Sequence, residues 1–139
     1  MKPKLLLVCL VAFLLPRSGS GQSTLQSRTY NFEDLTAQKE ANATFRPILD
    51  GLTHNGVHIH VHEVFLLPGS SPHHAHHHQQ EEMFLISEGE VEVTIVDKVT
   101  KLGPGSVAFV AAGDQHQIQN FGTRPAQYFE IILDPPASH

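Results

Sequence analysis

Pro68-Gly69-Ser70-Ser71-Pro72-His73-His74-Ala75-His76-His77-His78-Gln79-Gln80-Glu81-Glu82-Met83-Phe84-Leu85-Ile86-Ser87-Glu88-Gly89 joins a turn, a histidine cluster and a strand. The Pro68-Gly69 pair marks the turn, and Met83 to Ser87 read as a strand stopped by Glu88-Gly89. Between them, His73 to Glu82 pack five imidazoles and two carboxylates into ten residues. Those are ligand types that divalent first-row metals take from proteins. Side chains alternate across a strand, so His76 and His78 project to one face and His77 to the other. The parity of Glu82, Phe84 and Ile86 sets the Glu82 carboxylate beside two core-type residues, which is how a carboxylate enters a barrel interior.

Outward from this stretch the chain keeps a β character. Val57-His58-Ile59-His60-Val61-His62 alternates, and Phe65-Leu66-Leu67 continues the run to Pro68. Downstream, Glu90 to Val96 form a strand with Val91, Val93 and Ile95 on one face, and Asp97-Lys98 make a hairpin turn. Thr100 to Leu102, Ser106 to Val110, His116 to Gln119 and Gln127 to Leu133 complete the set, with no helical periodicity. About seven short strands at spacings of about ten residues describe an all-β sandwich or small barrel. His58, His60 and His62 share a face opposite Val57, Ile59 and Val61. Alternation alone does not say which face is inner. Core packing favours the Val/Ile face, which puts the histidines outside; the reverse lines a cavity with His60 and His62.

The N-terminal part is different. Lys2 and Lys4 precede eleven apolar residues, Leu5 to Leu15, and a small-residue run, Ser18 to Gly21, follows. This is the layout of a secretory signal peptide, and the apolar run is too short to span a bilayer. We expect residues 1–21 to be a signal peptide cleaved near Ser20 to Gln22, residues 22–50 an N-terminal arm with a short helical turn, and residues 51–135 the barrel. The mature protein is then secreted or periplasmic, with no membrane segment after cleavage. Cys9 is the only cysteine and lies in that apolar run, so disulfides and cysteine nucleophiles are excluded from the mature chain. Six basic against fourteen acidic residues remain, a balance of −8 with histidine neutral. That argues against nucleic acid and anionic-lipid partners, which need cationic contacts.

The last piece is Gly105-Ser106-Val107-Ala108-Phe109-Val110-Ala111-Ala112-Gly113-Asp114-Gln115-His116-Gln117-Ile118-Gln119-Asn120. With it the chain resembles the cupin superfamily. His76-x-His78, three residues, Glu82, six residues, Gly89 fits the functional half of that family's first motif. Gly105, five residues, Ala111-x-Gly113, two residues, His116, three residues, Asn120 fits the second at every spacing. There are two departures: six residues separate Gly69 from His76 where the motif has five, and Ala111 replaces a proline. A second register, His74-x-His76, is therefore available, although His76-x-His78 agrees better with Glu82 and Gly89.

The resemblance covers about Val57 to Leu133 and implies a small double-stranded β-helix (jelly-roll) barrel. It also implies one divalent ion (Mn, Fe, Ni, Cu or Zn) held by His76, His78, Glu82 and His116. Glu82 can serve as ligand and catalytic base. The activity implied is a metal-dependent, dioxygenase-like reaction on a small oxygenated organic molecule, in a homodimer formed through an edge strand or the arm. A non-catalytic small-ligand or metal-binding module is the competing reading, as is a solvated histidine tract without a built site. Phe84, Ile86, Phe109 and Ile118 are candidate apolar walls. His73 and His74 are candidate supporting donors, pocket walls or surface groups. Glu81 reads as a solvated neighbour. No second buried carboxylate stands out by spacing as a proton donor, which leaves an oxalate-decarboxylase mechanism weakly supported.

Overall fold

The computed structural model describes residues 24–135, so the expected signal peptide lies outside the described residues. A 3-10 turn at Phe32–Asp34 precedes nine strands: β1 (Gln38–Lys39), β2 (Ala43–Leu52), β3 (His58–Leu66), β4 (Glu81–Glu88), β5 (Val91–Ile95), β6 (Lys98–Leu102), β7 (Val107–Val110), β8 (His116–Gln119) and β9 (Ala126–Leu133). They form a six-stranded sheet, β1-β2-β3-β9-β4-β7, and a three-stranded sheet, β6-β5-β8, with antiparallel neighbours throughout. This is the all-β architecture expected from the strand spacing, in the jelly-roll form that the resemblance implied. Among the described residues no helix is long and apolar enough to cross a membrane.

The core lies between the two sheets and is filled by alternate residues of each strand. Val64 and Leu66 of β3, Phe84 and Ile86 of β4, Val91 and Val93 of β5, Val110 of β7, Ile118 of β8 and Tyr128 of β9 are buried there. Phe84 and Tyr128 meet edge to face with ring centroids 5.6 Å apart, a favoured aromatic geometry. Burying a side chain of this size contributes about 1.5–3 kcal/mol, so these positions hold the two sheets together.

Three expectations change. Most of the arm's second half is β2, which pairs with β3 from Ala43↔Leu66 to Leu52↔His58, and the boundary expected at residue 50 falls inside it. A register shift between Pro47 and Leu49 marks a bulge that switches parity within the strand, so its sequence shows no continuous alternation. The second change concerns β3. Val64 and Leu66 are fully buried while Phe65 is exposed, and the same parity carries His62, His60 and His58 onto the inner face. Ile59 and Val61 take the outer face, part of which lies under the arm. Glu63 is buried there against Arg46 at 3.1 Å, while Arg46 also donates to the Leu35 carbonyl at 2.8 Å. Third, Phe109 is no cavity wall: it is 51% exposed, because β7 points Ala108 and Val110 inward.

Gly89 explains one motif position physically. It turns β4 into β5 at φ +73°, and a Cβ there would lie 2.5 Å from the Pro125 carbonyl oxygen and 2.7 Å from Ala126 Cα. Both the conformation and the space require glycine.

Candidate metal centre

The loop between β3 and β4 is laced to the turn before β8. His76 and His116 exchange two backbone hydrogen bonds, His76 N–H to His116 O at 3.1 Å and His116 N–H to His76 O at 2.8 Å. Gly113, at φ +86°, donates its N–H to the His78 carbonyl at 2.8 Å. Ala111 in the motif's proline position leaves this turn closed, since Asp114 N–H still reaches the Ala111 carbonyl at 3.1 Å. The lacing carries residues far apart in sequence to one point inside the barrel.

Each of the three imidazoles is anchored in the same way. Nδ1 of His76 lies 2.9 Å from the His74 carbonyl, Nδ1 of His78 lies 3.1 Å from that of Gln80, and Nδ1 of His116 lies 2.9 Å from that of Asp114. A carbonyl only accepts, so Nδ1 carries the proton and the Nε2 lone pair is free. Such anchoring fixes the tautomer and ring orientation of metal-binding histidines. One ligand nitrogen from each of His76, His78 and His116 lies within 4.8 Å of the others. The His76-x-His78 register is therefore the one that converges with His116, and His74 supplies only its carbonyl to His76.

Glu82 reaches the same point from β4. Its Oε2 is 2.8 Å from His116 Nε2 and 3.4 Å from His78 Nε2. Glu82 and His116 are 3% and 2% exposed, and those two close atoms nevertheless lack hydrogen-bond geometry. A buried polar atom left without a partner costs about 1–3 kcal/mol, which a cation held between them would relieve. Three imidazoles, which ligate in their neutral form, and a carboxylate, all oxygen or nitrogen donors, fit one divalent first-row ion. With no ion bound, burial works to raise the Glu82 pKa, but the close, positively charged His116 ring, with help from Glu130 and His78, holds it near about 2. The carboxylate is thus ionised at neutral pH. The same contact raises the pKa of His116 against its burial.

A second buried carboxylate stands beside the first, contrary to the sequence expectation. Glu130 of β9 is 9% exposed, pairs across the sheet with Phe84 and His62, and is hydrogen-bonded to the His62 ring. Burial lifts its pKa to about 7; His62 opposes the rise and Glu82 adds to it. The signal was present in the sequence: Ala126, Tyr128, Glu130 and Ile132 alternate through the last strand, leaving one carboxylate at an inward position. The opposite assignment of β3 faces concealed its partner, His62.

The site closes one end of a cavity of about 420 Å³ whose walls include Phe45, His60, His62, His73 and Ile132. Phe84 and Ile118 back the Glu82–His116 pair, as expected, whereas Ile86 lies deeper in the core. His73 is a wall, its ring 6.0 Å from that of Phe45, and His77 and Glu81 are exposed.

Several solved structures share this architecture. A predicted oxalate decarboxylase from Thermotoga maritima is 22% identical with a TM-score of 0.65, over 78% of this chain and 100% of the other. KdgF from a Halomonas species is 12% identical with a TM-score of 0.67, over 79% and 96%. An RmlC-like cupin from Shewanella frigidimarina is 17% identical with a TM-score of 0.63, over 82% and 96%. At these identities the likeness is one of fold. No curated protein matches the chain. Residues 57–132, more than half of the chain, match the family model described as the cupin domain, and with the two-sheet barrel around the three convergent histidines this places the chain in the cupin family.

Proposed function

We propose that this cupin is an exported metal-dependent enzyme acting on a small oxygenated organic molecule, with His76, His78, Glu82 and His116 holding one divalent ion of Mn, Fe, Ni, Cu or Zn. The observation that carries the proposal is the convergence of three oriented imidazoles, two of them within 3.4 Å of a buried, ionised carboxylate, at the end of a cavity open to solvent. Such an ion supplies Lewis acidity or oxygen activation. The protein supplies the rest. Glu82 stays charged beside His116, and Glu130, hydrogen-bonded to the His62 ring, can hold a proton near neutral pH. Phe84 and Ile118 keep water from the inner side. His60, His62 and His73 present polar ring edges to an oxygen-bearing ligand in the cavity. A neighbour described as a predicted oxalate decarboxylase supports small-molecule chemistry in this fold.

The test loads the metal-stripped protein with each of the five ions and screens phenolic, diketone and oxalate-type compounds with an oxygen electrode. Turnover with matching oxygen uptake supports the dioxygenase-like form. Turnover without oxygen uptake assigns the site to proton-transfer chemistry, which the Glu130–His62 pair favours. Tight stoichiometric binding with no turnover under any ion would make the protein a binding module. Export is tested by N-terminal sequencing of the protein from its source, expected to begin near Ser20 to Gln22. The homodimer is tested by sedimentation; the exposed apolar side chains of Leu85, Val107 and Phe109 on the outer sheet face support it.

A further inference from the structure

We propose that the chain carries a second divalent-cation site at the entrance to the barrel, formed by Asp50, His58 and His60 and oriented by Asp134. These residues are distinct from the four assigned to the inner centre. Asp50 of β2 lies directly across from His60 of β3 in the antiparallel register, and the Asp134 backbone N–H bonds the His58 carbonyl at 3.0 Å just beyond β9. Three strands thus bring two imidazoles and two carboxylates together on the inner face, one step outside the His62–Glu130 pair. One ligand atom from each of Asp50, His58 and His60 lies within 4.8 Å of the others.

The detailed contacts are those of a cluster that needs a cation among its oxygen and nitrogen atoms. The two Asp50 oxygens face different rings: Oδ1 is 2.7 Å from His58 Nε2, and Oδ2 is 3.2 Å from His60 Nδ1. The opposite nitrogens face Asp134 Oδ2, at 2.6 Å for His58 Nδ1 and 3.3 Å for His60 Nε2. When His58 Nδ1–H donates to Asp134, its Nε2 lone pair is aimed at a carboxylate oxygen. That contact is repulsive unless a cation joins the two atoms. The cation is either a second proton on each ring or one shared metal ion. The carboxylate–histidine arrangement is the one that orients histidine ligands toward metals. Two imidazoles and a carboxylate, with a position open to solvent, suit Zn²⁺ among the first-row ions. His60 also lines the main cavity, so an ion here would sit where a ligand enters.

The two cations respond oppositely to pH. A protonated cluster loses its charge as pH rises, whereas metal binding strengthens because the ligands must give up protons. Titration with Zn²⁺ by calorimetry, with elemental analysis, should show two ions per chain at pH 7.5, one tight and one weaker, and a marked loss of the weaker one at pH 5.5. His116→Ala should lose the tight ion and keep the weaker. Asp50→Asn with His58→Gln should do the reverse, the retained tight ion showing that the barrel is folded. Asp134→Asn should weaken the second site about 10-fold or more, in line with orienting partners elsewhere. Asp50→Asn alone, at a 67% exposed side chain, serves if the double variant fails to fold. A single Zn²⁺ in the parent overturns the proposal. So does a second ion that survives loss of Asp50, which would assign it to the exposed histidines of the loop.

Discussion

Asn120 ends the second motif, next in sequence to a strand that supplies a metal-centre histidine, yet its side chain points away from that centre. It is fully buried. Its amide donates to the Leu66 carbonyl at 3.1 Å and the Arg124 carbonyl at 2.9 Å, and its carbonyl accepts the Gly122 N–H at 2.9 Å. Asn120→Ala removes three hydrogen bonds and strands two carbonyls and an N–H. At about 1 kcal/mol net for each bond, and more where the stranded group stays dry, the loss is about 3–5 kcal/mol. For a domain of this size that lowers Tm by about 10–20 °C. Thermal melts followed by circular dichroism measure it. Below its lowered Tm, the variant should bind the inner ion with the parent's affinity within a few fold, because the backbone bonds from Asn120 to Gly69 and Ser70 remain. Asn120→Asp is the sharper control: a carboxylate would serve a metal, but here it loses both donor bonds and buries a charge, so it should melt at least as early as the alanine variant. A Tm within about 3 °C of the parent for Asn120→Ala, or loss of the ion from the folded variant, would refute the structural role.

Gly89→Ala should cost about 2–5 kcal/mol, from a left-handed backbone and a Cβ driven into Pro125 and Ala126; a denaturant midpoint equal to the parent's would contradict it. Glu130→Gln should keep the inner ion but slow turnover about 10²-fold or more on whichever compound of the screen reacts, and an unchanged kcat would remove Glu130 from the chemistry. His58 gives a pH signature in chelator-treated protein. Its pKa is raised chiefly by the hydrogen bond to Asp134, against burial, so its stabilisation is complete below the unfolded value of about 6.5 and fades as pH rises through the folded value. The Tm gap between parent and His58→Gln should therefore be larger at pH 5.5 than at pH 8.5, and a gap that widens with pH would show the sign to be wrong.

Local alternation made much of this molecule legible in its sequence. Glu82, Phe84 and Ile86 share an inner face because nothing interrupts the pleat of β4, and the spacing of His76, His78 and His116 survives into space because the loop and turn are laced by backbone bonds. The misreadings have physical causes of the same order. Pro47 and its bulge switch the parity of β2, so its alternation cancels over the strand as a whole. On β3 both faces are covered, the outer one partly by the arm through Arg46 and Glu63, so the apolar face was no guide to the inside. Phe109 is no wall, because the pleat of β7 gives the inner positions to Ala108 and Val110. Glu130 was recoverable from the parity of Tyr128 and Ile132, but its meaning depends on His62, whose face only the folded sheet determines.

An inner ion held by a built site depends on His116, whereas one held by a histidine-rich loop does not. The direct measurement is the metal content of parent and His116→Ala, both made without a histidine tag and dialysed against a chelator strong enough to clear weakly held ions. The parent should keep about one divalent ion per chain and His116→Ala none, although every histidine of the loop is still present. Equal metal content in the two proteins would assign the ion to the loop and remove the built site.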